Sequence, residues 1–145
     1  STTDYNTCKR DAYKNYLKRK ISGEVEKEVR KYLKKMKLLI DQLNNTEDTP
    51  PVMINYWTTK SNQNEITKIG DTFSLKKEDI KNYIDRVFET LIKRYVKNYK
   101  IERKDITDKI MKNQNDEDGK EKYVIEEKNR IFDSMMSDFG SLMSD

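Results

Sequence analysis

Apolar residues recur at alternating intervals of four and three along residues 25–43, and this pattern constrains the fold more than any other feature. The positions are Val25, Val29, Tyr32, Met36, Leu39 and Leu43. Heptad spacing of this kind places all six side chains on one side of an α-helix. Leu33 and Ile40 widen the stripe on one flank. A wide stripe favours a helix packed in a bundle, with pairing to a helix of another protein as the alternative.

Four further helices are predicted from similar spacing. One covers residues 5–21 and stops at Ser22-Gly23, so that residues 1–45 form a helical pair. Ser74 is the predicted N-cap of the next helix, because its hydroxyl can accept a hydrogen bond from a first-turn amide. The remaining three helices are predicted at 75–100, 105–111 and 121–136. Only 34% of the residues are hydrophobic and 39% are charged, which suits helices with one apolar side each.

Two stretches interrupt the helical spacing. Pro50-Pro51 excludes a helix through the connector 46–74. Within the connector, VMINYW and NEITKI could pair as a short β-hairpin, and an ordered loop held by Trp57 is the alternative. Residues 137–145 are predicted to be a flexible acidic tail. A chain of 145 residues has room for one domain. We therefore expect an all-α domain, a small bundle of four to five helices.

Several kinds of catalytic chemistry lack the residues they need. The chain has no histidine, which removes the usual general base at neutral pH and histidine-containing zinc sites. A single cysteine, Cys8, cannot build a thiolate metal site, and four isolated glycines form no phosphate-binding loop. The acidic run 115–119 lacks the rest of a calcium-loop pattern. We expect no enzyme activity, no cofactor and no metal.

Composition also bears on where the protein acts. No run approaches the roughly twenty apolar residues of a membrane span, and the first residues lack the apolar core of a signal peptide. The unpaired Cys8 favours a reducing compartment. The expectation is an intracellular, nuclear protein without a membrane partner.

Charge is distributed unevenly along the chain. Counting Lys and Arg against Asp and Glu gives +6 for residues 1–45, −2 for 46–74, +5 for 75–112 and −5 for 113–145. On helical wheels, two stripes of cations lie opposite the apolar stripes. They consist of Lys27, Arg30, Lys31 and Lys34 on the second helix, and Arg86, Lys93, Lys97 and Lys100 on the third. Such stripes indicate a polyanionic partner, and a merely solvated helical surface is the alternative.

The order of elements in residues 75–136 resembles that of a helix-turn-helix domain. In that scheme the last helix enters the major groove of duplex DNA. Lys128, Asn129 and Arg130 are then the candidate base-reading residues, because asparagine suits adenine and arginine suits guanine. Contacts from the two cationic stripes would instead give sequence-independent, salt-sensitive affinity.

A repeated pentapeptide motivates a second hypothesis. SMMSD at 134–138 recurs as SLMSD at 141–145. In helical form Met135, Phe139, Leu142 and Met143 would share one side and could dock on a partner protein. The sequence thus predicts a non-catalytic DNA-binding accessory subunit of a larger complex. A helical module for protein–protein interaction, docking through the heptad helix and the methionine-rich tail, is the alternative.

Overall fold

A computed structural model describes residues 2–45, 66–98 and 122–145. Most of these residues lie in three helices, α1 (Thr2–Asn44), α2 (Lys77–Asn98) and α3 (Lys122–Phe139). Three short strands, β1 (Ile66–Ile69), β2 (Thr72–Lys76) and β3 (Met143–Ser144), form one sheet in that order. The predicted helical character is confirmed. Four to five helices and a helix-turn-helix are not confirmed for the described residues, and the predicted helix 105–111 lies outside them.

Helix α1 continues through Ser22 and Gly23, so the predicted break between two N-terminal helices is wrong. Ile21 and Val25 flank this pair and are both fully buried, which means that the apolar stripe does not stop there. One glycine in a helix costs only about 1 kcal/mol relative to alanine. Burying an aliphatic side chain contributes about 1.5–3 kcal/mol, so packing outweighs the local preference for a break.

The three helices pack side by side, with α2 antiparallel to both of the others. Tyr95, near the end of α2, donates a hydrogen bond of 2.9 Å to Glu24 of α1. Nearer the other end of the pair, the ring of Tyr83 stacks on that of Tyr32 with centroids 4.2 Å apart. The heptad residues of α1 are buried or, for Tyr32, packed against the core. Their stripe therefore serves packing within the chain.

A partly buried pair of hydroxyls joins α1 to α3. The hydroxyls of Ser22 and Tyr123 are hydrogen-bonded to each other, and Tyr123 also donates to the backbone carbonyl of Lys18. Burial raises the pKa of Tyr123 to about 12, against the effect of its hydrogen bond with Ser22. The phenol therefore stays protonated at neutral pH, which is the form that can donate to the carbonyl.

The hairpin β1–β2 differs from the predicted one. Ile66 pairs with Leu75 and Ile69 with Thr72 in antiparallel register. Gly70 lies in the connecting turn with φ of 61°, a conformation that favours glycine. NEITKI thus contributes a strand as expected, but its described partner is the segment that follows it, and VMINYW lies outside the described residues. Ser74 is in β2, so its predicted role as a helix cap is wrong.

The C-terminal residues are part of the fold, which corrects the prediction of a flexible tail. Phe139 and Leu142 are buried at 6% and 3% exposure. Residues Gly140–Leu142 form a 3-10 turn, after which β3 pairs in parallel with Leu75 and Lys76 of β2. The proposed partner-docking set is packed inward rather than displayed: Met135, Phe139 and Leu142 are buried and Met143 is partly buried. Met135 and Phe139 share one side of α3 as expected, whereas Leu142 lies in the 3-10 turn and Met143 in β3, and the four side chains pack against this chain's own core.

Candidate nucleic-acid interface

The outward side of α1 between residues 19 and 35 is almost entirely cationic. Eight residues in this range are exposed, and six of them are Lys or Arg. We call these six the α1 basic face: Arg19, Lys20, Lys27, Lys31, Lys34 and Lys35. The other two exposed residues are Gly23 and Glu28. Intervals of seven, four and three residues along Lys20, Lys27, Lys31 and Lys34 place these lysines in one row opposite the buried stripe.

None of the six cations of the α1 basic face forms an ion pair with a described residue. Two other cations of α1 do form ion pairs: Lys37 with Asp41 at 3.1 Å, and Arg30 with Asp138 at 2.5 Å. Closely spaced cations raise the local potential, and the one exposed carboxylate between residues 19 and 35, Glu28, offsets only part of their field. The α1 basic face is therefore the strongest candidate anion-binding surface in the described part of the chain.

Arg30, one of the predicted binding residues, does not belong to this surface. It is half-buried and turned toward α3, where it contacts Asp138 and Ser134. A second carboxylate, Glu26, lies 3.7 Å away on α1 itself. Two carboxylates neutralise the charge of Arg30, and the one on α3 makes Arg30 part of the contact between α1 and α3. The other three predicted cations of α1, Lys27, Lys31 and Lys34, are exposed as expected.

The cationic stripe predicted on α2 is only partly described. Arg86 and Lys93 are exposed, whereas the side chain of Lys97 and all of Lys100 lie outside the described residues. The guanidinium of Arg86 lies 5.8 Å from the centroid of the Tyr83 ring. Since Tyr83 stacks on Tyr32 of α1, Arg86 lies close to the junction of the two helices. The α1 residue that lines the surface beside Arg86 is Glu28.

The three candidate base-reading residues of α3 do not share one surface. Lys128 is turned toward α2 and bonds to Asp85 at 3.1 Å, with both side chains largely buried. Arg130 contacts Glu127 of its own helix and Glu26 of α1 at 3.3 Å. The hydrogen bond with Glu127 raises the pKa of Arg130. Only Asn129 is exposed without a described side-chain partner. The three residues therefore do not form one exposed edge, and their predicted contact with bases stays untested.

Sequence reasoning missed three members of the α1 basic face, Arg19, Lys20 and Lys35. Arg19 and Lys20 stand before the predicted break at Ser22-Gly23, so they were assigned to a separate helix. Extending the helical wheel across that break would have found Lys20, which continues the row seven residues before Lys27. Lys35 lies at one edge of the face and Arg19 at the other.

The described residues contain no group of three or more potential metal ligands. No helix in the described ranges combines the length and apolar character needed to cross a membrane.

The protein is mainly helical, with a small sheet and a row of exposed cations on α1. Comparisons with protein-family models, curated proteins and solved structures found no match to this chain.

Proposed function

We propose that the protein is a non-catalytic, nuclear accessory subunit that holds duplex DNA electrostatically through the α1 basic face. The observation that carries this proposal is the exposure of six cations without ion pairs to described residues. Cations on a protein surface release counterions condensed on the phosphate backbone, and this release supplies most of the affinity in sequence-independent binding. Lys93 and Arg86 of α2 would add to the same field.

The geometry of the lysine row supports backbone contacts over base reading. From Lys20 to Lys34 the helix rises about 21 Å at 1.5 Å per residue. That length matches roughly six base pairs along one strand at 3.4 Å each. Lysine acts as a mobile point charge, whereas bidentate base reading relies on arginine or asparagine in fixed positions. We therefore assign the α1 basic face to phosphates, with no sequence preference.

An accessory role fits this weak, general mode of binding. Sequence-independent contacts at physiological salt typically give dissociation constants of roughly 10⁻⁴ to 10⁻⁶ M. Such affinity contributes usefully when a larger complex already holds the protein near DNA, since tethering raises the effective concentration. The proposal thus keeps the partners predicted from sequence: duplex DNA, and other subunits of a complex.

A triple charge reversal on the α1 basic face tests the proposal. Lys27→Glu, Lys31→Glu and Lys34→Glu together are expected to weaken binding of a labelled 20-base-pair duplex at least about tenfold at low salt. Plotted as log affinity against log salt, the slope should become shallower by about 2.7, because each phosphate contact contributes about 0.9. Fluorescence anisotropy at several salt concentrations measures both quantities.

The matched control makes the same charge change at three exposed lysines elsewhere, Lys9, Lys68 and Lys76. Because it removes equal net charge, it separates a local surface from the overall charge of the protein. We expect it to change the affinity less than about threefold. Equal weakening in both variants, or no duplex binding by the natural sequence at low salt, would disprove the assignment.

A further inference from the structure

Large apolar side chains mark both ends of the lysine row on α1. In the described part of the chain, three large apolar residues are more than a third exposed: Tyr16 at 46%, Leu38 at 75% and Ile69 at 58%. Tyr16 lies four residues before Lys20, and Leu38 lies four residues after Lys34. Four residues are about one helical turn, so both side chains continue the row at its ends. Two of the three exposed residues therefore belong to the surface proposed to contact DNA.

The distance between these two ends corresponds to one turn of duplex DNA. From Tyr16 to Leu38 the helix advances 22 residues, which is about 33 Å at 1.5 Å per residue. One turn of B-DNA measures roughly 34–36 Å, and the minor groove returns to the same side of the duplex after each turn. A duplex aligned with α1 therefore presents one minor groove near Tyr16 and the next near Leu38.

The lysines between the two ends lie where the phosphate backbone passes. Lys20 and Lys34 are each about 6 Å along the helix from the neighbouring apolar residue. The minor groove is only about 6 Å wide, so a side chain that enters it has phosphate backbone close on either side. The long side chains of Lys20 and Lys34 can reach that backbone. Lys20 Nζ also lies 5.8 Å from the centroid of the Tyr16 ring, so a phosphate bound by Lys20 brings the duplex beside Tyr16.

The surroundings of Leu38 favour a nucleic acid over an apolar groove of another protein. Lys34 and Lys35 lie one turn before it, so a groove that closed over Leu38 would also bury two cations. A phosphate backbone would instead pair with both. The nearest carboxylate in helical spacing, Asp41, is bonded to Lys37 at 3.1 Å, which partly offsets its repulsion of phosphates.

We propose that α1 spans one turn of duplex DNA, with Tyr16 and Leu38 in two successive minor grooves and the lysine row on the phosphates between them. Apolar side chains are a common means of contact with this groove. The contact presupposes the proposed DNA binding and adds a substrate class to it. Only G·C pairs place an amino group in the minor groove, so A·T-rich duplex leaves more room for the two side chains. The lysines themselves still read no sequence.

A pair of alanine substitutions tests the contact. Tyr16→Ala and Leu38→Ala together are expected to weaken binding of the labelled 20-base-pair duplex about tenfold, because two apolar side chains lose their contact with DNA. The slope of log affinity against log salt should stay within about 0.5 of that of the natural sequence, since no phosphate contact is removed. Ile69→Ala, at the third exposed residue and outside α1, is the matched control and should change the affinity less than about twofold.

A change of base tests which groove is contacted. Inosine in place of guanine removes only the amino group in the minor groove and leaves the phosphates and the major-groove acceptors as they are. An alternating duplex of inosine and cytosine should bind the natural sequence at least about threefold more tightly than the corresponding duplex of guanine and cytosine. The double alanine variant should bind the two duplexes equally. Fluorescence anisotropy at low salt measures all four affinities.

The outcomes separate this contact from the DNA proposal itself. If the triple Lys→Glu variant of α1 loses affinity while the double alanine variant keeps it, the minor-groove contact is overturned and the DNA proposal stands. Equal binding of the inosine and guanine duplexes by the natural sequence, or a loss with Ile69→Ala as large as that of the double variant, would have the same consequence. Absence of duplex binding at low salt would overturn both.

Discussion

A chain that stops after Asp138 is expected to lose about 5–10 kcal/mol of unfolding free energy relative to the full chain. The truncation removes the buried side chains of Phe139 and Leu142, which belong to the same core as α1 and α2. Removing a buried phenylalanine costs about 3–5 kcal/mol and a buried leucine about 2–5 kcal/mol. It also removes β3 and the hydrogen bond of 2.8 Å that Ser74 donates to Ser144. Because domains of this size are stable by only about 5–15 kcal/mol, much of the truncated protein should be unfolded at 25 °C.

Urea unfolding followed by circular dichroism measures this loss. The matched control stops after Ser144 and lacks only Asp145, an exposed residue whose carboxylate pairs with Lys77 at 2.6 Å. The pairing lowers the pKa of Asp145, but the group is fully exposed. The control should therefore unfold at nearly the same urea concentration as the full chain. Equal stability of all three chains would show that residues 139–145 do not contribute to the core.

Phe88→Ala is expected to lower the unfolding free energy by about 3–5 kcal/mol. Phe88 is 1% exposed at the centre of α2, and its ring meets that of Tyr123 of α3 edge-on with centroids 6.4 Å apart. Removing the Phe88 ring leaves a cavity between two helices that cannot close without moving the backbone. The loss of stability therefore includes both the lost transfer free energy of the ring and the cost of the cavity. Calorimetry or urea unfolding provides the measurement.

Leu38→Ala is the control for Phe88→Ala. Leu38 is also a large apolar residue within a helix, but it is 75% exposed on the outward side of α1. Its truncation should change the unfolding free energy by no more than about 0.5 kcal/mol. A similar loss in both variants would mean that the buried stripe of α2 does not face the other helices as described.

The spacing of apolar residues predicted the helical class and the buried side of each helix, because buried positions recur every three or four residues along a helix. The spacing of Val25 to Leu43 correctly identified core positions. The break at Ser22-Gly23 was wrong, since the local preferences of two residues are weaker than the packing of Ile21 and Val25. The tail was misjudged for a related reason: Met143 pairs with Leu75, nearly seventy residues earlier in the chain, and this pairing holds the C-terminal residues on the sheet. Pairings across such separations leave no local pattern.

Like the fold, the candidate site could be predicted from the sequence only in part. Helical spacing correctly placed Lys27, Lys31 and Lys34 on the solvent side of α1. It could not show which cations are neutralised by other helices, because Arg30 meets Asp138 across 108 positions and Lys128 meets Asp85 across 43. Carboxylates of other helices thus neutralise two of the predicted cations, whereas the α1 basic face forms no ion pairs with described residues.

Protection of lysines from acetylation by bound duplex, read by mass spectrometry, tests the central claim most directly. Lys20, Lys27, Lys31, Lys34 and Lys35 should react several-fold more slowly when saturating DNA is present at low salt, because each amine is held against a phosphate. Lys9, Lys68, Lys76 and Lys122 are exposed elsewhere and should react at unchanged rates. Uniform protection of all nine lysines, or protection only outside α1, would contradict the account.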